Sequence, residues 1–202
     1  MKKLRKWRVC LFLGVVLSIS NVASASTAKN EEEFVKQLYS NLLNRNTDVE
    51  IVYVGDDARK VADNFNEYLT KAFLVDKKTT TSDADYLVGI YHGYRLNYGI
   101  RSVFENSKMK VAATFKISFD YHETKKQPPQ VDEQIKKIMK SLDIDKLTDY
   151  GKVKAIHDYI VNRIDYDTSY RDYSAYSGLI NKTTVCNGYA LLFYKMVKQI
   201  LK

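Results

Sequence analysis

The sequence is short of the residues that staple small folds or hold metals. Of 202 residues, two are cysteine, three histidine, two proline and one tryptophan. One cysteine, Cys10, lies in an apolar leading stretch, so an internal disulfide framework is excluded once that stretch is set aside. His92, His122 and His157 lack the spacing of a zinc site, and the eight glycines form no phosphate-binding loop. No cofactor or metal is expected. Long apolar runs are also missing: Val9 to Ile19 is too short to span a membrane comfortably.

What is present is ordinary for a folded globular chain, with 45% hydrophobic and 28% charged residues. The net charge of +8 is uneven. Lys2, Lys3, Arg5, Lys6 and Arg8 carry five of the eight, leaving +3 for the rest. The basic balance is therefore a poor argument for a nucleic-acid partner. A positive start, an apolar core and Ala23-Ser24-Ala25 together read as a secretory signal peptide over residues 1–25. The expected product is secreted or held at the cell surface, with no stable membrane span after cleavage.

Residues 26–126 read as a small α/β module with an antiparallel sheet. A helix over Glu31 to Asn44 presents Phe34, Leu38 and Leu42 on one face. Val49 to Val54 is a short strand. Asp56 or Asp57 caps a second helix running to about Leu74. After the polar loop KKTTTSDAD come two strands, Tyr86 to Tyr98 and Lys110 to His122, joined through FENSKM. The tyrosines of these strands, and His92 and His122, read as structural.

KKQPPQ, at 125–130, predicts an extended break. Residues 127–202 are then helical. Val131, Ile135, Ile138, Met139 and Leu142 form one stripe, and Thr148 caps a helix reaching about Ile164. A Tyr- and Asp-rich connection follows, with a helical turn near Asp172 to Leu179. The last helix starts near Thr184 or Val185. Asn181-Lys182-Thr183 matches a glycosylation acceptor, a weak signal in a chain of bacterial style.

Cys186 thus falls in the first turn of the last helix, behind a capping threonine. Unpaired backbone N–H groups and the helix dipole favour a thiolate and a developing oxyanion there. Gly188 reads as room for a substrate, and the apolar residues from Ala190 to Leu201 read as a helix buried on nearly every side.

The segments KVKAIHDYIVNRIDYD, SAYSGL and TTVCNGYALLFYKMVKQ resemble the bacterial transglutaminase-like superfamily, over about residues 130–202. The resemblance implies a papain-like α+β scaffold, a Cys-His-Asp triad and acyl transfer through a thioester, with Cys186 in the nucleophile position. It also implies that the base and acid lie on strands after the cysteine helix. His157 and Asp158, on the preceding helix, are expected to be structural. The chain is accordingly expected to be truncated after that helix and to have little triad-dependent activity. The expected fold is α+β: the N-terminal α/β module, then the helical half of a papain-like domain. The expected partner is a protein or peptide substrate, a cell-wall-associated one included. The alternative function is a non-catalytic surface protein that binds or scaffolds.

Overall fold

The computed structural model describes residues 26–75, 84–105 and 107–200. The signal-peptide reading and most of the polar loop fall outside the described residues. Among the described residues, thirteen numbered elements follow one another. The first half contains β1 (Ser26–Ala28), α1 (Glu31–Leu43), β2 (Asp48–Val54), α2 (Ala58–Asp63), α3 (Phe65–Leu74), α4 (Ala84–Ile90), β3 (Tyr91–Glu105) and β4 (Lys108–Tyr121). The second contains α5 (Gln127–Ser141), α6 (Asp149–Val161), β5 (Asp165–Tyr166), β6 (Thr183–Thr184) and α7 (Cys186–Ile200).

The N-terminal sheet has the order β1-β2-β4-β3. It is mixed rather than antiparallel, because β1 pairs parallel to β2 while β2–β4 and β4–β3 are antiparallel. The three-residue β1 carried no alternation long enough to be legible. Alternation sets the inner face: Val49, Ile51 and Tyr53 of β2 and Ala113, Phe115, Ile117 and Phe119 of β4 are buried. Phe34 of α1 and Phe65 of α3 meet Phe115 there, with ring centroids 4.8 and 5.9 Å away. The Asn30 side chain caps α1 by accepting the Glu33 N–H at 2.9 Å, and three glutamates fill the first turn.

Three local expectations need correction. The helix expected after Asp57 breaks at Asn64 into α2 and α3. Asp57 makes no capping bond, because its carboxylate accepts the Tyr53 hydroxyl. The strand expected from Tyr86 begins only at Tyr91, for residues 84–90 form α4. Tyr86, Leu87 and Ile90 are buried, so packing overrode their strand propensity. Pro128 and Pro129 do not extend the chain. They occupy the first turn of α5, where a missing N–H costs no helical bond.

The buried residues of both halves join one hydrophobic cluster. Val131 and Ile135 of α5, Ile156 and Ile160 of α6, and Leu191, Leu192 and Met196 of α7 form its C-terminal part. α4 connects the halves. Gly89 lies so close to α7 that a Cβ there would come within 2.6 Å of Leu191 Cδ2. Tyr86 stacks on Tyr194, with centroids 6.1 Å apart, and lies under the Lys195 ammonium. Among the described residues, no helix is long and apolar enough to cross a membrane.

His92 and His122, far apart in sequence, are neighbours in space. Their ring centroids are 4.6 Å apart, and His122 stacks on Tyr173 at 4.6 Å. Burial first, then the neighbouring His92, holds the His122 imidazole below its ordinary pKa. The sign follows: the fold keeps His122 neutral, while the unfolded chain takes up a proton near the ordinary histidine value. Stability is therefore full above that value and is lost as pH falls through it. Thermal midpoints measured between about pH 8 and pH 5 should fall more for the parent protein than for His122→Gln.

Candidate functional site

α7 begins at Cys186, and the loop beneath it is tied down by buried polar groups. Asp167 organises that loop. Its carboxylate accepts the Ser169 N–H at 2.8 Å, the Ser169 hydroxyl at 2.5 Å, and the Arg171 and Asp172 N–H groups at 2.7 and 2.9 Å. Hydrogen bonds from the Ser169 hydroxyl and then the Arg171 and Asp172 amides hold the Asp167 carboxyl well below the usual carboxylate range. The turn so formed presents the Asp172 carbonyl to two donors, the Val185 N–H at 2.8 Å and the Thr184 hydroxyl at 2.9 Å.

Thr184 is therefore not the expected helix cap. Its hydroxyl is fully buried and points to carbonyls of the preceding loop, while Thr183 and Thr184 pair with Asp165 and Tyr166 as a short parallel ladder. Asn187 fixes the first turn of α7 from the other side. Its amide nitrogen donates to the Gly89 carbonyl at 2.9 Å and the Tyr173 carbonyl at 2.8 Å. One side chain thereby links the helix start to α4 and to the residue under His122.

Gly188 also differs from expectation. It does not open space for a substrate. A Cβ there would lie 1.9 Å from Thr184 Oγ1 and 2.7 Å from the Ser174 carbonyl oxygen. Its lack of a side chain lets the helix descend onto the buried loop.

The two sides of α7 differ in burial at its start. Gly188, Leu191, Leu192 and Met196 face the core, whereas Cys186 and Ala190 are exposed. At 100° per residue, Cys186, Ala190, Phe193 and Val197 share one face, opposite Leu191 and Leu192. The expectation of a helix buried on nearly every side holds only in part: Phe193 and Val197 are half-buried against the core, while Cys186 and Ala190 on the same face are exposed. Cys186 heads this less buried face as a free, exposed thiol. Below it, His157, Ile160 and Val161 of α6 and Tyr189, Ala190 and Phe193 of α7 line an apolar groove of about 260 Å³.

Tyr166 stands at the thiol. Its phenol is an electrostatic neighbour of Cys186. Desolvation first, then the charge that Cys186 and Tyr170 can carry, pushes the Tyr166 phenol above its ordinary value. The Tyr166 ring stacks on Tyr189, with centroids 6.4 Å apart and planes 18° apart, and meets Tyr170 edge-on at 6.4 Å. Tyr189 is anchored in turn by its hydroxyl, which donates to the Ile164 carbonyl at 2.5 Å.

The histidines are elsewhere engaged. His157 Nδ1 lies 3.2 Å from Asp158 Oδ1, and Asp158 also pairs with Lys154 on the exposed side of α6. His92 and His122 pair with each other. Among the described residues no imidazole is hydrogen-bonded to Cys186, and no cluster of three or more His, Cys, Asp or Glu could hold a metal.

Residues 136–200 match the transglutaminase-like superfamily. The chain carries a transglutaminase-like domain. No curated protein matches the chain in sequence. The matched segment of this domain runs from within α5 to the end of α7, so it contains Cys186, Tyr166 and the Asp167 turn. Tyr166, Asn187 and Asp167 were not singled out in the sequence. Tyr166 is brought towards Cys186 by the β5–β6 ladder, which pairs positions eighteen apart by two residues per strand and leaves no periodic trace.

Proposed function

We propose that this transglutaminase-like protein is exported and uses Cys186 for acyl transfer at an amide, on a scaffold of papain-like type. The observation that carries the proposal is the placement of the thiol. It is free, exposed, at the first position of a buried-loop-anchored helix, and inside the segment that matches the superfamily.

The chemistry needs few parts. The Cys186 sulfur forms a bond to the acyl carbon, and the carbonyl electron pair moves onto oxygen. Backbone N–H groups in the first turn of α7 stabilise that oxyanion. Its collapse expels the leaving amine, which departs with a proton, and leaves a thioester. An amine or water then takes the acyl group and restores the thiol. The thiol needs a base and the leaving amine needs an acid, and no histidine within the described residues is bonded to the sulfur. We therefore assign this chain the nucleophile half of the site, with slow turnover on unactivated amides.

An activated ester removes the need for the acid, because its leaving group departs as an anion. p-Nitrophenyl acetate should give one equivalent of p-nitrophenolate per folded chain, followed by slow release of acetate. Cys186→Ser should remove that equivalent. If the serine variant releases the same amount, the acyl acceptor lies elsewhere and the proposal is wrong.

A further inference from the structure

Two large apolar side chains stand in the open at the far end of the β3–β4 hairpin. Phe104 is 72% exposed and Met109 64%. They pair across the hairpin, on the face that carries the core residues Phe115 and Ile117 further along β4. The same hairpin leaves an edge. β3 ends the sheet, with β4 on one side and, among the described residues, no strand on the other. None of its residues from Tyr91 to Glu105 is buried. A long open edge with apolar side chains beside it is a template for pairing with a further strand.

The charges of β3 itself indicate the occupant. We propose that a second copy of this chain pairs with it, β3 to β3 and antiparallel, about a two-fold axis at Ile100. Both copies present the same strand, so the axis fixes every pair and each pair occurs twice. Arg95 falls opposite Glu105 of the second copy, Leu96 opposite Phe104, and Gly99 opposite Arg101. Within one chain Arg95 pairs with Asp120 at 3.1 Å, and Glu105 pairs with Lys110 at 3.0 Å, with Lys29 behind it at 3.6 Å. Joining the copies gives a row Asp120–Arg95–Glu105–Lys110 in which the sign alternates at every step. On the other face Leu96 is half-buried and lies opposite the buried Ile117. The row Ile117–Leu96–Phe104–Met109 therefore extends the apolar surface of the core over the two exposed side chains.

Neighbouring axes lose this match. An axis at Tyr98 sets Arg95 against Arg101, an axis at Arg101 sets that residue against itself, and an axis at Gly99 opposes no pair of charges. A Cβ at Gly99 would meet nothing within 4 Å, so the Arg101 side chain of the second copy has open space beside it.

Sedimentation equilibrium of the full chain reads the association directly, and it does not depend on the acyl-transfer reading of Cys186. The parent should dimerise. Arg95→Glu and Glu105→Arg should each weaken the dimer about tenfold, because each sets like charges opposite one another at two symmetric places. The double variant re-forms both pairs and should return to within about threefold of the parent. It carries the intrachain mismatches of both single variants, with Asp120 and with Lys110, so a damaged fold would instead make it the weakest of the three. Phe104→Ser, which removes a side chain that a single chain leaves exposed, should also weaken the dimer. A parent that stays monomeric up to about 1 mM would overturn the proposal. So would a dimer indifferent to either charge reversal, which places the association elsewhere, or a double variant that binds no better than the single ones.

Discussion

Gly188→Ala is expected to destabilise the protein by about 3 kcal/mol, within the upper range for overpacking a closed interior. The clash is with Thr184 Oγ1 and with a backbone carbonyl, Ser174 O, neither of which can retreat. Thr184 is fully buried, and its hydroxyl is bonded to Asp172 O and lies near Ser174 O and Ser177 Oγ. Moving it breaks the network that supports the head of α7. The alternative is for α7 to lift, which pulls Asn187 from Gly89 O and Tyr173 O and takes their shared donor from two part-buried carbonyls. For a chain of this size the cost corresponds to a fall of roughly 6–12 °C in melting temperature. The same variant should lose the stoichiometric acylation of Cys186, because the thiol moves with the helix. A scanning calorimetry midpoint within about 1 °C of the parent would mean that the helix start has slack that the packing does not show.

Glu123→Gln is the second large effect, expected to cost about 3 kcal/mol. The Glu123 side chain is wholly buried between α1, α4 and the end of β4. One oxygen takes Arg45 Nη2 at 2.6 Å and Nε at 3.0 Å, and the other accepts the Tyr86 hydroxyl at 2.6 Å. Removing the carboxylate charge leaves the guanidinium in a largely buried position without a counterion. Breaking one side of such a pair is far more costly than never having built it. Tyr86 carries the loss onward, since its ring seats α4 against Tyr194 and Lys195 of α7. Urea denaturation should therefore show a lower midpoint. Glu133→Gln, which removes an exposed partner of Lys137, should leave the midpoint where it is. Equal behaviour of the two variants would show that the buried pair contributes no more than a surface one.

The elements most readable in the sequence are those whose periodicity is long and uninterrupted. Phe34, Leu38 and Leu42 fixed α1, the alternation from Val111 to Tyr121 fixed β4, and Thr148 marked the start of α6, where its side chain accepts the Gly151 N–H. The readings failed where a short segment was decided by what packs on it. Tyr86 to Ile90 has strand composition but lies against α7, and helix is the form that buries Tyr86, Leu87 and Ile90 together. Pro128 and Pro129 were read by their restriction of the backbone, and their tolerance in a first helical turn was not given weight.

At the site, Cys186 does stand at a helix start, but the capping hydroxyl expected from Thr183-Thr184-Val185 is not what starts it, because Thr184 Oγ1 is bonded to loop carbonyls. The reason for Gly188 was not legible, because the atoms it avoids belong to residues 174 and 184, whose closeness depends on the Asp167 turn. The meeting of His92 with His122 depends on strand pairing in the same way. Chemistry-bearing residue types can be picked from a sequence one at a time, but their pairing needs the ladder that joins them.

Mass spectrometric mapping of the acetyl group after brief treatment with p-nitrophenyl acetate tests the central claim most directly. The folded protein should carry one acetyl group, on the peptide containing Cys186. In urea that selectivity should disappear, because the helix start that presents the thiol and the backbone N–H groups for the oxyanion no longer exists. Acetylation of the folded protein spread over lysines and tyrosines, with Cys186 unmodified, would contradict the account.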